Sequence, residues 1–128
     1  MKFLEIDEVI VIHQRMLEFA GGKEGIREFI LLHSAIERPK AKFGGIFLYE
    51  TIWSMAAALL QSLVKNHPFE DGNKRTAYFS AMRFLQRNQW ILVAKETEYV
   101  DFMVQVDIQN KSVKDIAIWL KKHSRFSE

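Results

Sequence analysis

The stretch HPFEDGNKRTA, residues 67 to 77, sets a histidine, two carboxylates, a glycine, an asparagine and two cations into eleven consecutive positions. Glycine after aspartate permits a tight turn, and residues 72 to 75 then enter a helix whose first amides have no intrahelical acceptor. Such amides, at the positive end of the helix dipole, make a phosphate site. Lys74 and Arg75 add positive charge where the donors converge. Asp71 offers a hard oxygen ligand for magnesium, which bridges protein carboxylates and nucleotide phosphates. His67 can accept a proton from an attacking hydroxyl. The set points to phosphoryl or nucleotidyl transfer, with Mg²⁺ as the implied metal. Taken singly, each member also fits a surface histidine, an ordinary turn or a solvated basic pair. Phe69 reads as a core plug that fixes the loop, and Glu70 beside it as solvent-facing.

The elements that must hold this loop are helical. Val9, Ile12, Met16, Leu17 and Ala20 follow one helix face, with Asp7 placed to cap its start and Gly21-Gly22 to stop it. Ile26, Phe29 and Ile30 begin a second face, which Pro39 must end. KAKFGGIFLYE breaks the period, and its glycine pair marks a loop or small hairpin, a flap near residues 40 to 49. Ile52, Met55, Ala56, Leu59, Leu60, Leu63 and Val64 trace a third stripe, broad enough for a central, mostly buried helix. His67 falls at its C-terminal end. A helix over residues 74 to 88 follows the loop, and its apolar residues also cover most of its circumference. WILVA reads as a short extended piece, too brief to build a sheet. A helix around Tyr99, Phe102, Met103 and Val106 comes next, and Ser112 with Asp115 resembles a capping box for the last, through Ile116 and Leu120. His13 and His33 fall on apolar faces, His123 in a polar tail, and no two histidines have metal-ligand spacing.

With no internal repeat or linker, residues 1–128 read as one all-α domain. The net charge of +2 gives no general attraction to nucleic acid, so no direct nucleic-acid partner is expected. Absence of cysteine excludes disulfides and thiolate zinc sites, which suits a reducing compartment. The opening MKFLEIDEVIVIH has too short an apolar run and too many charges for a secretion signal or membrane span. A cytoplasmic protein with no membrane partner is the expectation.

HPFEDGNKRTAYFSAMRFLQRN resembles the signature of the Fic/Doc family, His-x-Phe-x-Asp/Glu-Gly-Asn-Gly-Arg-x-x-Arg, and is most similar to its death-on-curing (Doc) toxin branch. GIREFILLHSAIERPKAKFGG resembles that branch's segment leading into the substrate-docking flap, and SVKDIAIWLKKHS its closing helix. The resemblance implies a Fic-like helical domain. It also implies His67 as catalytic base, Phe69 as buried anchor, Asp71 as magnesium ligand, Gly72 and Asn73 as the anion-binding turn, and Arg75 as a phosphate contact. Two positions depart from the wider pattern: Lys74 stands where adenylylating members have glycine, and Tyr78 stands where they have the second arginine. A lysine fills space that glycine leaves open and sets a cation on the phosphates. Doc-like members share the lysine, bind ATP in reversed orientation and transfer its terminal phosphate. Their known target is a threonine of translation elongation factor Tu. The inhibitory helix of many Fic proteins, Ser/Thr-x-x-x-Glu-Gly/Asn, has no counterpart here, since Glu24-Gly25 is preceded at that distance by Ala20. Restraint by a separate Phd-type antitoxin is therefore implied.

Three other readings compete with protein phosphorylation. Adenylylation uses the same ATP and magnesium and differs in which phosphate is attacked. An RNA-cleaving toxin could use the histidine and cations but has less need of the Asp-Gly-Asn turn. A non-catalytic helical module would leave His67 idle.

Overall fold

Eleven of the fifteen residues of the helix Ile52–Asn66 are buried, so this segment is surrounded by the rest of the chain. The computed structural model describes residues 1–128. In chain order the helices are α1 (Ile6–Ala20), α2 (Phe29–Glu37), α3 (Ile52–Asn66), α4 (Asn73–Arg87), α5 (Glu96–Ile108) and α6 (Val113–Lys122). The architecture is all-α, as expected. α3 packs on α4, α6 and α2, and α1 lies across α4. One apolar cluster joins Leu59, Leu63, Phe69, Phe84, Leu85, Ile116 and Leu120 among others.

The start of α3 is fixed by a reciprocal cap. Thr51 accepts from the Ser54 amide at 3.0 Å while its own amide donates to Ser54 Oγ at 3.1 Å. Before it, the expected flap is a hairpin, β1 (Lys42–Phe43) with β2 (Ile46–Phe47). Gly44 and Gly45 both have positive φ, 59° and 80°, as the two-residue turn of such a hairpin requires.

Several expectations are corrected. Asp7 does not cap α1: the helix already begins at Ile6, with Glu5 at the cap position and no side-chain cap bond, because half-buried Ile6 packs on the core. Asp7 instead lies in the first turn, where negative charge suits the dipole. The buried face of α2 is Leu32, Ala35 and Ile36, while Phe29 and Ile30 are 56% and 79% exposed. Both triplets share the same spacing, and the helix is turned to bury the second. Ile26 lies outside α2 and pairs with Phe69, and His33 is exposed. α4 starts at Asn73, one residue early. At α6, Ser112 accepts from the Asp115 amide at 3.1 Å, with no reciprocal bond.

The extended piece after α4 does find a partner. β3 (Trp90–Leu92) pairs antiparallel with β4 (Ser124–Phe126), a two-stranded ribbon whose second strand lacks apolar alternation. His123 is accordingly no tail residue: it ends α6, stacks on Trp119 at 3.9 Å and reaches that residue's carbonyl at 2.8 Å. At the other side of this corner, Asn88 exchanges hydrogen bonds with the backbone of Lys2, and the Ser127 amide donates to Gln89.

Arg38, in the short 3-10 turn after α2, ties the flap's far side to α3. It donates to the Tyr49 hydroxyl at 2.7 Å, to Gln61 Oε1 at 2.9 Å and to Ser62 Oγ at 2.8 Å. Gln61 and Ser62 are buried. Arg38→Ala leaves both acceptors short of a donor and should cost about 2–3 kcal/mol, read from urea denaturation.

Candidate active site

α3 stops where His67 takes a left-handed conformation, φ 45° and ψ 55°, and Pro68 follows. A non-glycine residue there costs about 1–2 kcal/mol, and burial of a phenylalanine side chain offsets that with roughly 1.5–3 kcal/mol. Phe69 supplies the burial, being only 1% exposed. Its ring lies flat under the His13 ring of α1, centroids 3.8 Å apart and planes at 8°.

The loop is also stitched by its backbone. The Pro68 carbonyl accepts from the Arg27 and Glu28 amides at 2.7 and 3.0 Å, and the Glu70 amide donates to the Gly25 carbonyl at 3.0 Å. Asn73 folds back on Phe69: its Oδ1 accepts from the Phe69 amide at 3.0 Å and its Nδ2 donates to the Phe69 carbonyl at 2.9 Å. Asp71 is held at two points. His13 Nε2 donates to its carbonyl at 2.8 Å, and the Lys23 amide donates to its Oδ2 at 2.7 Å. Close approach of the loop after α1 requires glycine at 22, φ 125°, where a Cβ would come within 3.2 Å of Asp71 Cβ.

Gly72 caps α4 in a left-handed conformation, φ 78° and ψ 17°. The Thr76 amide returns to the Gly72 carbonyl, so the amides of Asn73, Lys74 and Arg75 are left without an acceptor inside the protein. They belong to residues that line a cleft of about 350 Å³, together with His67, Glu70, Asp71 and Gly72 and with Met16, Ala20 and Gly21 at the end of α1. All six residues singled out from the sequence thus share one cavity. His67 is exposed, as Glu70 is. Arg75 has no carboxylate within ion-pair distance. Lys74 has one: its Nζ lies 3.2 Å from Asp107 Oδ2 on α5. Both side chains are more than a third exposed, so this pair holds the ammonium only weakly.

Beside the cleft, Lys74 and Arg75 also border an apolar slot of about 170 Å³ formed with Tyr78, Tyr99, Val100, Met103 and Val104. Tyr78 is fully buried and stacked on Tyr99 at 4.3 Å, and its hydroxyl has no hydrogen-bond partner. Burial pushes the phenol well above its usual range, and Tyr99 and Glu98 act in the same direction, so the group stays neutral.

No cluster of three or more carboxylate or imidazole ligands occurs. Asp71 fits magnesium in the other way open to it: one oxygen is held by the Lys23 amide and the second has no protein donor, which suits a cation shared between one carboxylate and substrate phosphates. The residues that sequence reasoning missed are His13, set aside as an apolar-face histidine, and Lys23, which acts through its backbone. His13 shares a helix face with Val9, Met16 and Leu17, and such a pattern describes any buried ring.

Residues 3–85 match the model of the Fic/DOC family, and the chain belongs to that family. It is similar to Toxin Doc of Mycolicibacterium smegmatis (strain ATCC 700084 / mc(2)155), 48% identical over 68 residues that span 53% of this chain and 52% of that protein. It is also similar to Protein kinase doc of Escherichia phage P1, 30% identical over 125 residues and 95% of each chain.

The Asn73 brace makes a separate prediction. Asn73→Ala removes two neutral hydrogen bonds and should lower stability by about 1–3 kcal/mol, with amide exchange accelerated at Phe69 more than in the middle of α3.

Proposed function

We propose that the chain is a Doc-like toxin that transfers the terminal phosphate of ATP to a serine or threonine hydroxyl of a target protein. The observation that carries this reading is the single cleft lined by an exposed imidazole, the Glu70 and Asp71 carboxylates, three residues whose helix-start amides are unpaired, and an unpaired guanidinium. His67 takes the proton of the target hydroxyl as its oxygen bonds to phosphorus. The bond from phosphorus to the bridging oxygen breaks, and ADP leaves. Asn73, Lys74 and Arg75 hold the phosphates through their amides, and the Arg75 side chain balances their charge. Asp71 would hold Mg²⁺, which supplies charge neutralisation on the phosphates when bound.

Elongation factor Tu is the target that the family resemblance supports, which would make the outcome arrest of protein synthesis. A Phd-type antitoxin is the partner that would restrain it. No helix is long and apolar enough to cross a membrane, and a cytoplasmic site of action agrees with such a target.

Adenylylation remains as a second reading because of the apolar slot bordered by Lys74 and Arg75. A base bound there would bring the α-phosphate, rather than the terminal one, towards the helix start. ATP labelled separately at the α and γ positions, incubated with the protein and elongation factor Tu, separates the two. Transfer of the γ label, a bare phosphate by mass spectrometry, is expected. Lys74→Gly should lose that transfer without gaining AMP transfer, since Tyr78 still stands where adenylylating members carry arginine. AMP on the target of the parent protein would overturn the assignment. In the same assay His67→Ala should slow transfer by about 10²–10⁴-fold with the fold intact.

Asp71→Asn keeps an oxygen for the Lys23 amide and loses the charge. Magnesium-dependent ATP binding, followed calorimetrically, should therefore weaken far more than the melting temperature falls, whereas unchanged magnesium dependence would return Asp71 to a turn role.

A further inference from the structure

We infer that His13 is a positioning residue for the anion-binding turn, setting the direction of the Gly72 amide through its hydrogen bond to the Asp71 carbonyl. This rests on the phosphate-binding reading of the cleft. His13 lies on α1, 58 positions before Asp71, and is 4% exposed. A carbonyl only accepts, so the Nε2 that meets Asp71 at 2.8 Å carries the proton. In a planar trans peptide the carbonyl and the following amide point in opposite directions. With the Asp71 carbonyl fixed on the His13 ring, the Gly72 N–H is turned away from that ring; Gly72 lines the cleft, and its amide has no acceptor within the protein.

Two neighbouring contacts make His13 the element that decides this orientation. Gly72, in its left-handed conformation, is free to flip its peptide at little cost, so the turn by itself does not choose a direction. The other restraint on Asp71, the Lys23 amide, acts on the side chain and leaves the peptide plane free. The His13 ring cannot swing, because it is stacked flat on Phe69 and its Cδ2 faces Gly72 closely enough that a Cβ there would sit 3.6 Å away. The buried ring thus transmits the position of α1 to a donor at the helix start.

The test separates the ring's packing from its proton. His13→Phe keeps a flat ring on Phe69 and loses the donor, and His13→Gln loses the stack and keeps a donor. Each variant and the parent are titrated with inorganic pyrophosphate and with MgATP, following the Gly72 amide by NMR alongside the melting temperature and γ-phosphate transfer. In His13→Phe the Gly72 amide should no longer respond to pyrophosphate, and transfer should fall by about 10²-fold, the scale of a small misplacement. His13→Gln should melt lower than His13→Phe yet respond to pyrophosphate more like the parent. Should His13→Phe not fold, His13→Leu, apolar and without a donor, takes its place. A His13→Phe or His13→Leu protein with the parent's Gly72 response and affinity overturns the inference, as does His13→Gln behaving like the donor-less variant. If the parent transfers no phosphate while its Gly72 amide still responds and the variants divide as stated, the kinase reading fails and the positioning role stands.

Discussion

Burial of one aromatic ring governs the site. Phe69 has to reach the core from a loop between two central helices, and everything around it follows from that demand. The chain must leave α3 abruptly, which places His67 in a strained left-handed conformation at the rim. It must then return to solvent within two residues, which brings Asp71 and Gly72 up against α1. Asn73 closes the circuit by satisfying both backbone groups of Phe69, the polar groups carried inward with the ring. Without that closure the buried amide and carbonyl would each carry a desolvation penalty comparable to the gain from the ring itself.

Charge in the cleft is arranged on a different principle. Rigid donors come from backbone: the helix-start amides are fixed by α4, and α4 is fixed by the core. Mobile charge comes from side chains near solvent. Lys74 is shared with Asp107 through a weak exposed pair, so it can be released to an anion at little cost. Arg75 has no such competitor. Lys74 and the neutral, buried Tyr78 both border the apolar slot beside the cleft.

The helical architecture was legible because long apolar stripes at 3.6 spacing leave little choice, and the cleft was legible because its parts are contiguous in the chain. What failed was local. Ile26, Phe29 and Ile30 have the same spacing as Leu32, Ala35 and Ile36, and periodicity cannot say which stripe the neighbours will cover. Asp7 is a good capping residue overruled by the packing of Ile6. β4 pairs through its backbone, and its residues carry no strand pattern to read. His13 falls on the buried face that its spacing predicts, but the pattern gives no sign of its hydrogen bond to the Asp71 carbonyl. Its contribution depends on which ring and which carbonyl lie opposite, information held 58 positions away. The same is true of Lys23, where the acting group is an amide that every residue but proline possesses.

The corner beyond α4 gives the molecule a direction of wear. Lys2 is bonded to Asn88 and Ser127 to Gln89, so segments from opposite extremities of the sequence are fastened to two adjacent residues. Opening of either segment therefore loosens the same place, the C-terminal end of α4. The cleft lies at the other end of that helix, fifteen residues or about 22 Å away at the ordinary helical rise. Opening fluctuations of low energy begin at such fastenings and spread inward only at greater cost. The end of α4 that breathes is thus not the end whose amides must stay in register.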